Sequence, residues 1–177
     1  MNYLSKYEIA FKGLKEGTHL FEFNIDDKFF DKFENSEVKK GTLKADVTLT
    51  KQSSLMILDF AVKGHVELIC DRCLDNYNQK IKANNKLFVK FGHEEEEMSD
   101  DVIVITYEEH QINIAQYLYE IIILGLPIKR IHPEKKGKSE CNPEMVEKLK
   151  EYLVEDVSEE EPVDGRWKEL KKLLDNK

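Results

Sequence analysis

Residues 43–50 read Leu-Lys-Ala-Asp-Val-Thr-Leu-Thr, apolar at each odd position and polar or charged at each even one. A period of two sets Leu43, Ala45, Val47 and Leu49 on one face of a strand, with Lys44, Asp46, Thr48 and Thr50 on the other, and so predicts a half-buried strand. Past the turn cluster Gln52-Ser-Ser54 the apolar positions become even: Met56, Leu58, Phe60, Val62, Val66 and Leu68. Gly64 breaks that row, as at a bulge or a bend. After Asp75-Asn76 the apolar positions turn odd again, at Tyr77, Ile81, Leu87, Val89 and Phe91. Long alternating runs with short turn clusters between them predict antiparallel strands joined by tight turns, not parallel strands crossed by helices. Upstream, Tyr7, Ile9 and Phe11 alternate, and His19-Leu-Phe-Glu-Phe-Asn-Ile25 is another extended candidate. Between these and residue 43, Phe29, Phe30 and Phe33 fall at helical spacing behind Asp26, a good N-cap, which predicts a short amphipathic helix.

The second half changes character. Glu94 to Glu97 and Asp100-Asp101 form an acidic run that reads as a solvated loop. Val102-Ile-Val-Ile-Thr-Tyr107 predicts one more strand. Asn113 can cap a helix carrying Ile114, Tyr117, Leu118 and Ile121 on one face; Gly125 closes it and Pro127 cannot continue it. Glu120 stands next to the apolar Ile121-Ile-Ile123, and the expectation is a partly buried carboxylate with a hydrogen-bonding partner. Residues 128–142 read as loop. Pro143 opens a helix running to Leu153, and the five acids between Glu155 and Glu161 read as a tether. The closing segment carries an apolar stripe, Trp167, Leu170 and Leu174, expected to dock on this chain or on a partner. The fold class is α+β: a curved antiparallel β-sheet of about six strands, with helices from the C-terminal half packed on one face or end. Residues 1–127 are expected to form the sheet domain with the short helix and the 113–124 helix. Residues 128–177 are expected to form an appendage of the same domain.

The chain has 177 residues, 41% hydrophobic and 35% charged, enough to bury a core without disulfides. With 35 acids against 27 bases the net charge is −8, which argues against coating nucleic acid by bulk charge. Lys6 and Glu8 interrupt the N-terminal stretch before an apolar core can form, so no signal peptide is expected. The longest apolar stretch, Ile121-Ile-Ile-Leu-Gly-Leu-Pro127, is too short to span a bilayer. Three cysteines are an odd count, which excludes a full disulfide framework. The expectation is a soluble, acidic protein of a reducing compartment, the cytoplasm, with no membrane partner.

Cys70-Asp-Arg-Cys73 lies between two predicted strands, at a hairpin tip. Two thiolates two residues apart can face one ion, which is half of a tetrahedral zinc site. His132 and Cys141, in the loop after Pro127, would complete a Cys3His set. Two other readings stay open. A thioredoxin-like redox pair needs a helix starting at the first cysteine, and Tyr77-Asn-Gln-Lys-Ile81 reads as strand. The third reading is plain reduced thiols without a metal. No cofactor other than zinc is indicated.

Elsewhere the chemistry is sparse. There is no glycine-rich phosphate loop and no Ser-His-Asp spacing, and His19, His65, His93 and His110 are scattered. Lys129, Arg130, Lys135, Lys136 and Lys138 crowd the loop around His132, the best local candidate for contact with RNA phosphates or an acidic partner.

The run Gly64-His-Val-Glu-Leu-Ile-Cys-Asp-Arg-Cys-Leu74 resembles the signature of the YceD family, the bacterial large ribosomal RNA subunit accumulation proteins. Ile112-Asn-Ile-Ala-Gln-Tyr-Leu-Tyr-Glu-Ile-Ile-Ile-Leu-Gly-Leu-Pro127 is similar to the family's helix with its Leu-x-Leu-Pro ending. Asp164-Gly-Arg-Trp-Lys-Glu-Leu170 resembles the family's Asp-Pro-Arg-Trp-x-x-Leu, with Gly165 in place of proline. The resemblance implies a non-catalytic cytoplasmic factor in large-subunit ribosome biogenesis that supports accumulation of large-subunit ribosomal RNA. Implied partners are a large-subunit precursor, ribosomal RNA or a ribosomal protein, with no small-molecule substrate. Family members carry the Cys-x-x-Cys, and many place Cys or His after the Leu-Pro, as His132 and Cys141 stand here. Two alternatives remain at this point: a chaperone or adaptor for a basic ribosomal protein, favoured by the −8 charge, and a thiol oxidoreductase using Cys70 and Cys73.

Overall fold

In the computed structural model, which describes residues 3–92, 102–135 and 138–152, three long strands follow the alternation: β3 (Gly41–Lys51), β4 (Leu55–Ile69) and β5 (Asn76–Phe91). They pair antiparallel, so that Leu49, Leu58 and Leu87 stand side by side, all buried. Each large apolar side chain taken from water here stabilises the fold by about 1.5–3 kcal/mol. Strand β2 (Gly17–Ile25) adds antiparallel to β3, and the short β6 (Val102–Ile105) adds to β5. The result is an open five-stranded sheet ordered β2-β3-β4-β5-β6. The α+β class is as expected. The strand directions are not all so: β6 runs parallel to β5, pairing Val89 with Ile103. An apolar alternation fixes which face of a strand is buried but not the direction in which it joins its neighbour.

Two short strands, β1 (Glu8–Ala10) and β7 (Gln111–Asn113), pair with each other across the chain's two halves. They lead into α2 (Ala115–Leu124), whose Leu118, Ile121 and Ile122 are buried against the face of β4 and β5. Asn113 caps this helix through its side chain, its Oδ1 accepting the Ala115 N–H at 2.9 Å. Gly125 ends it with right-handed backbone, and a Cβ there would stand 3.1 Å from that of Ala83 on β5. Glu120 is exposed, which corrects the expected partial burial; it does have a partner, Gln116 Nε2 at 2.8 Å. The buried stripe of α2 runs through 118, 121 and 122, and position 120 lies off it.

Helix α1 (Asp27–Phe30) starts as its sequence implied, with the Phe29 N–H donating to the Asp26 carboxylate at 3.2 Å. Phe29 and Phe30 are buried, and Phe33 stacks on Tyr119 with ring centroids 4.1 Å apart. At Gly64 the register stays continuous, with Lys63 opposite Lys44 and His65 opposite Thr42, so there is no bulge. A Cβ at Gly64, where φ is +155°, would lie 2.3 Å from the Thr42 carbonyl oxygen and 2.6 Å from Leu43 Cα. Glycine is required there by the close approach of β3.

The chain divides into two units, Met1–Cys141 and Asn142–Lys177. Inside the first, β8 (Glu134–Lys135) pairs antiparallel with β9 (Lys138–Ser139), a small ladder within what read as loop. In the second, α3 (Pro143–Tyr152) has proline in its first turn, and Asn142 Oδ1 accepts the Glu144 N–H at 3.1 Å. The acidic run at 94–101, Lys136, the tether at 155–161 and the stripe Trp167, Leu170 and Leu174 lie outside the described residues. Among the described residues no helix is long and apolar enough to cross a membrane.

Candidate metal centre

The turn between β4 and β5 is a knuckle closed by backbone bonds. The Leu74 N–H donates to the Cys70 carbonyl at 2.9 Å, and the Cys70 N–H donates to the Asp75 carbonyl at 2.9 Å. The turn holds Leu74 at φ 63°, a left-handed conformation that costs a residue with a Cβ about 1–2 kcal/mol. Such a conformation persists only where its surroundings fix it, and it turns both cysteine side chains to one side of the tip.

The chain returns to this tip after α2. The Asp71 N–H donates to the Arg130 carbonyl at 2.7 Å, and the Arg130 N–H donates to Asp71 Oδ2 at 2.8 Å. This two-bond latch joins residues 59 positions apart and sets down the segment that carries His132. The Arg130 guanidinium is turned to Glu37, with which it forms an ion pair. Asp71 read as a mere spacer between two cysteines; nothing local in the sequence points to its partner.

Cys70, Cys73, His132 and Cys141 bring one ligand atom each to within 4.8 Å of all the others. Cys70 and Cys141 sulfurs are 3.7 Å apart, and His132 Nδ1 lies 3.4 Å from the Cys73 sulfur and 3.7 Å from that of Cys141. The three cysteines are free thiols, buried, and the histidine is half-buried with its ring tilted on that of Tyr77 at 5.2 Å. A zinc ion held by sulfur at about 2.3 Å and by nitrogen at about 2.0–2.1 Å in a tetrahedron sets sulfur atoms about 3.8 Å apart and sulfur and nitrogen about 3.6 Å apart. The donor types and spacings therefore fit a closed four-coordinate ion. Burial alone would push the Cys70 thiol up, but the N–H groups of Cys73, Arg72 and His132 and the His132 ring outweigh it and hold the thiol near a pKa of about 6. A thiolate ready at neutral pH is the form that a metal takes.

A family model described as large ribosomal RNA subunit accumulation protein YceD matches residues 58–174. The chain belongs to the YceD family. The match takes in most of β4, the knuckle, α2 and the loop with His132 and Cys141, so the four donors lie in the part of this YceD chain that defines it. The family's description is of an accumulation factor and names no reaction. No curated protein and no solved structure matches the chain significantly.

Of the other expected site residues, Lys129 is exposed and Arg130 is half-buried in its pair with Glu37. Lys135 and Lys138 stand opposite each other on β8 and β9.

Proposed function

We propose that this YceD protein is a non-catalytic factor in large-subunit ribosome biogenesis, supporting accumulation of large-subunit ribosomal RNA through association with a large-subunit precursor, its RNA or one of its proteins. The observation that carries this reading is the family match across residues 58–174, which covers the four-donor cluster. Cys70, Cys73, His132 and Cys141 hold zinc as a structural clasp. Bound zinc supplies a cross-link between the β4–β5 tip and the loop from 128 onward. Four protein donors fill a tetrahedral shell and leave no position for a substrate, in keeping with a structural part. Lys129, Lys135, Lys136 and Lys138 present charge to RNA phosphates or an acidic partner, with Arg130 contributing less because Glu37 already neutralises it.

Depletion of the protein from its own cells tests the role. The expected result is a fall in large-subunit relative to small-subunit ribosomal RNA, with the tagged protein cosedimenting with large-subunit precursors. An unchanged ratio, with the protein only in the unbound fractions, overturns it. Alanine at Lys129, Lys135, Lys136 and Lys138 together should weaken that cosedimentation and flatten its salt dependence.

A further inference from the structure

Beside the metal centre, a trough of about 1100 Å³ runs over the outward face of the β4–β5 hairpin and is closed on one side by His132, Pro133 and Glu140. Its size is above the range of about 300–1,000 Å³ usual for compact small molecules, which favours a piece of chain as its occupant. Its lining is polar, which disfavours an apolar helix or a lipid tail. Among the described residues, the side chains of Thr42, His65, Asn76, Asn78 and Lys80 make no hydrogen bond or ion pair, so donors and acceptors of both kinds remain available. The acids in the wall are already committed. Asp27 accepts the Gly41 N–H at 2.8 Å, Glu67 pairs with Lys40 at 3.2 Å, and Glu140 is not free either.

The charge left over is positive. Lys80 lines the trough, and Lys82, two residues on, faces the same way. Lys82 stands directly opposite Lys63 on β4, and Lys63 turns to Asp46 at 3.0 Å. Neither Lys80 nor Lys82 has an ion-pair partner among the described residues. Like charges directly opposite on one face destabilise a sheet, and here they stand in a chain of net charge −8. Two uncompensated cations along the rim of a trough rich in amide and hydroxyl groups match a phosphodiester chain whose bases are splayed out to be read at their edges.

We propose that this trough binds a single-stranded RNA segment, with phosphates along Lys80 and Lys82 and base edges toward Asn76, Asn78 and Thr42. The proposal deepens the reading of a ribosomal RNA factor and rests on it. It places RNA on the hairpin face, in addition to the cations of the 129–138 loop.

The test is fluorescence anisotropy with the full chain, zinc-loaded, and a labelled single-stranded RNA twelve-mer of mixed sequence, titrated across a range of salt. A duplex RNA of the same length and an oligoglutamate serve as competing probes. Each phosphate contact on a single strand contributes about 0.7 to the slope of log K against log salt. Lys80→Gln with Lys82→Gln should therefore lower that slope by about 1.4, which at 0.1 M salt is about 25-fold in affinity. Lys32→Gln, on an exposed residue away from the trough, should change neither. Circular dichroism and melting of the variants check that they fold. Equal RNA binding by the double variant overturns the trough while leaving the ribosomal role intact. Tighter binding of oligoglutamate or of duplex than of single-stranded RNA overturns the occupant. Failure of the ribosomal role itself would show separately, as an unchanged ribosomal RNA ratio on depletion.

Discussion

Removing the Asp71 carboxylate should weaken zinc binding without touching any ligand. The carboxylate holds the Arg130 N–H at 2.8 Å, while the return bond from the Asp71 N–H to the Arg130 carbonyl at 2.7 Å is backbone and survives substitution. Asp71→Ala therefore removes one charge-assisted bond of the two. Its net value at this exposed site is about 1–1.5 kcal/mol, since the freed N–H can turn to water. That bond acts before any metal binds, because it lays the His132 segment against the tip. Its loss falls on the cost of assembling the site, and about 1.4 kcal/mol is tenfold in zinc affinity. This lies at the low end of the 10–100-fold seen when groups supporting metal ligands are removed. Asp71→Asn keeps an acceptor oxygen and loses only the charge, so its effect should be about two- to threefold. Competition against a chromophoric chelator at neutral pH measures all three proteins. Zinc affinity in Asp71→Ala within twofold of the parent, with melting unchanged, would refute the reasoning and leave the four ligands as the sole means of placing the loop.

Gly64→Ala should destabilise the sheet by about 3 kcal/mol or more, from a Cβ driven into the Thr42 carbonyl and Leu43 together with an unfavourable φ. Gly13→Ala, with open space around it, should stay within about 0.5 kcal/mol; equal urea midpoints for the two variants would contradict the close approach at Gly64. The lowered Cys70 pKa has a definite sign. Between about 6 in the folded protein and 9.0 when unperturbed, the unfolded state binds the proton that the folded state has released. Metal-free protein should therefore gain stability as pH rises from 6 to 9 and lose that contribution as pH falls through 6. Cys70→Ser should have a flatter profile of melting temperature against pH, and superimposable profiles would remove the thiolate from the argument.

The strands that could be read in the sequence were those whose two faces meet different solvents. β3, β4 and β5 each bury one row and expose the other, and a period of two records that contrast over eleven or more residues. β1 and β7 are three residues each, too short for a period to show, and what pairs them is a partner in the other half of the chain. The parallel joining of β6 was hidden for a related reason: its four residues are apolar throughout, which states burial and not direction. At the metal centre the ligand types were legible because thiols and imidazole are rare and soft, and their convergence could be posed as a question of spacing. The latch was not legible. Asp71 forms it with backbone groups of Arg130, and the sequence carries no record of which backbone a carboxylate will meet 59 residues on. Arg130 itself read as a free cation, whereas its partner Glu37 stands 93 residues upstream. Glu120 shows the converse, where a neighbourhood of isoleucines in sequence was taken for one in space, although α2 turns position 120 away from the buried side.

The claim that one ion clasps the hairpin tip to the following loop is tested most directly by X-ray absorption at the zinc edge on the zinc-loaded full chain. The expected spectrum has a first shell of three sulfur atoms at about 2.3 Å and one imidazole nitrogen at about 2.0–2.1 Å, with one zinc per chain and no oxygen in the shell. A shell of oxygen atoms, or a protein that takes up no zinc at all, would contradict it.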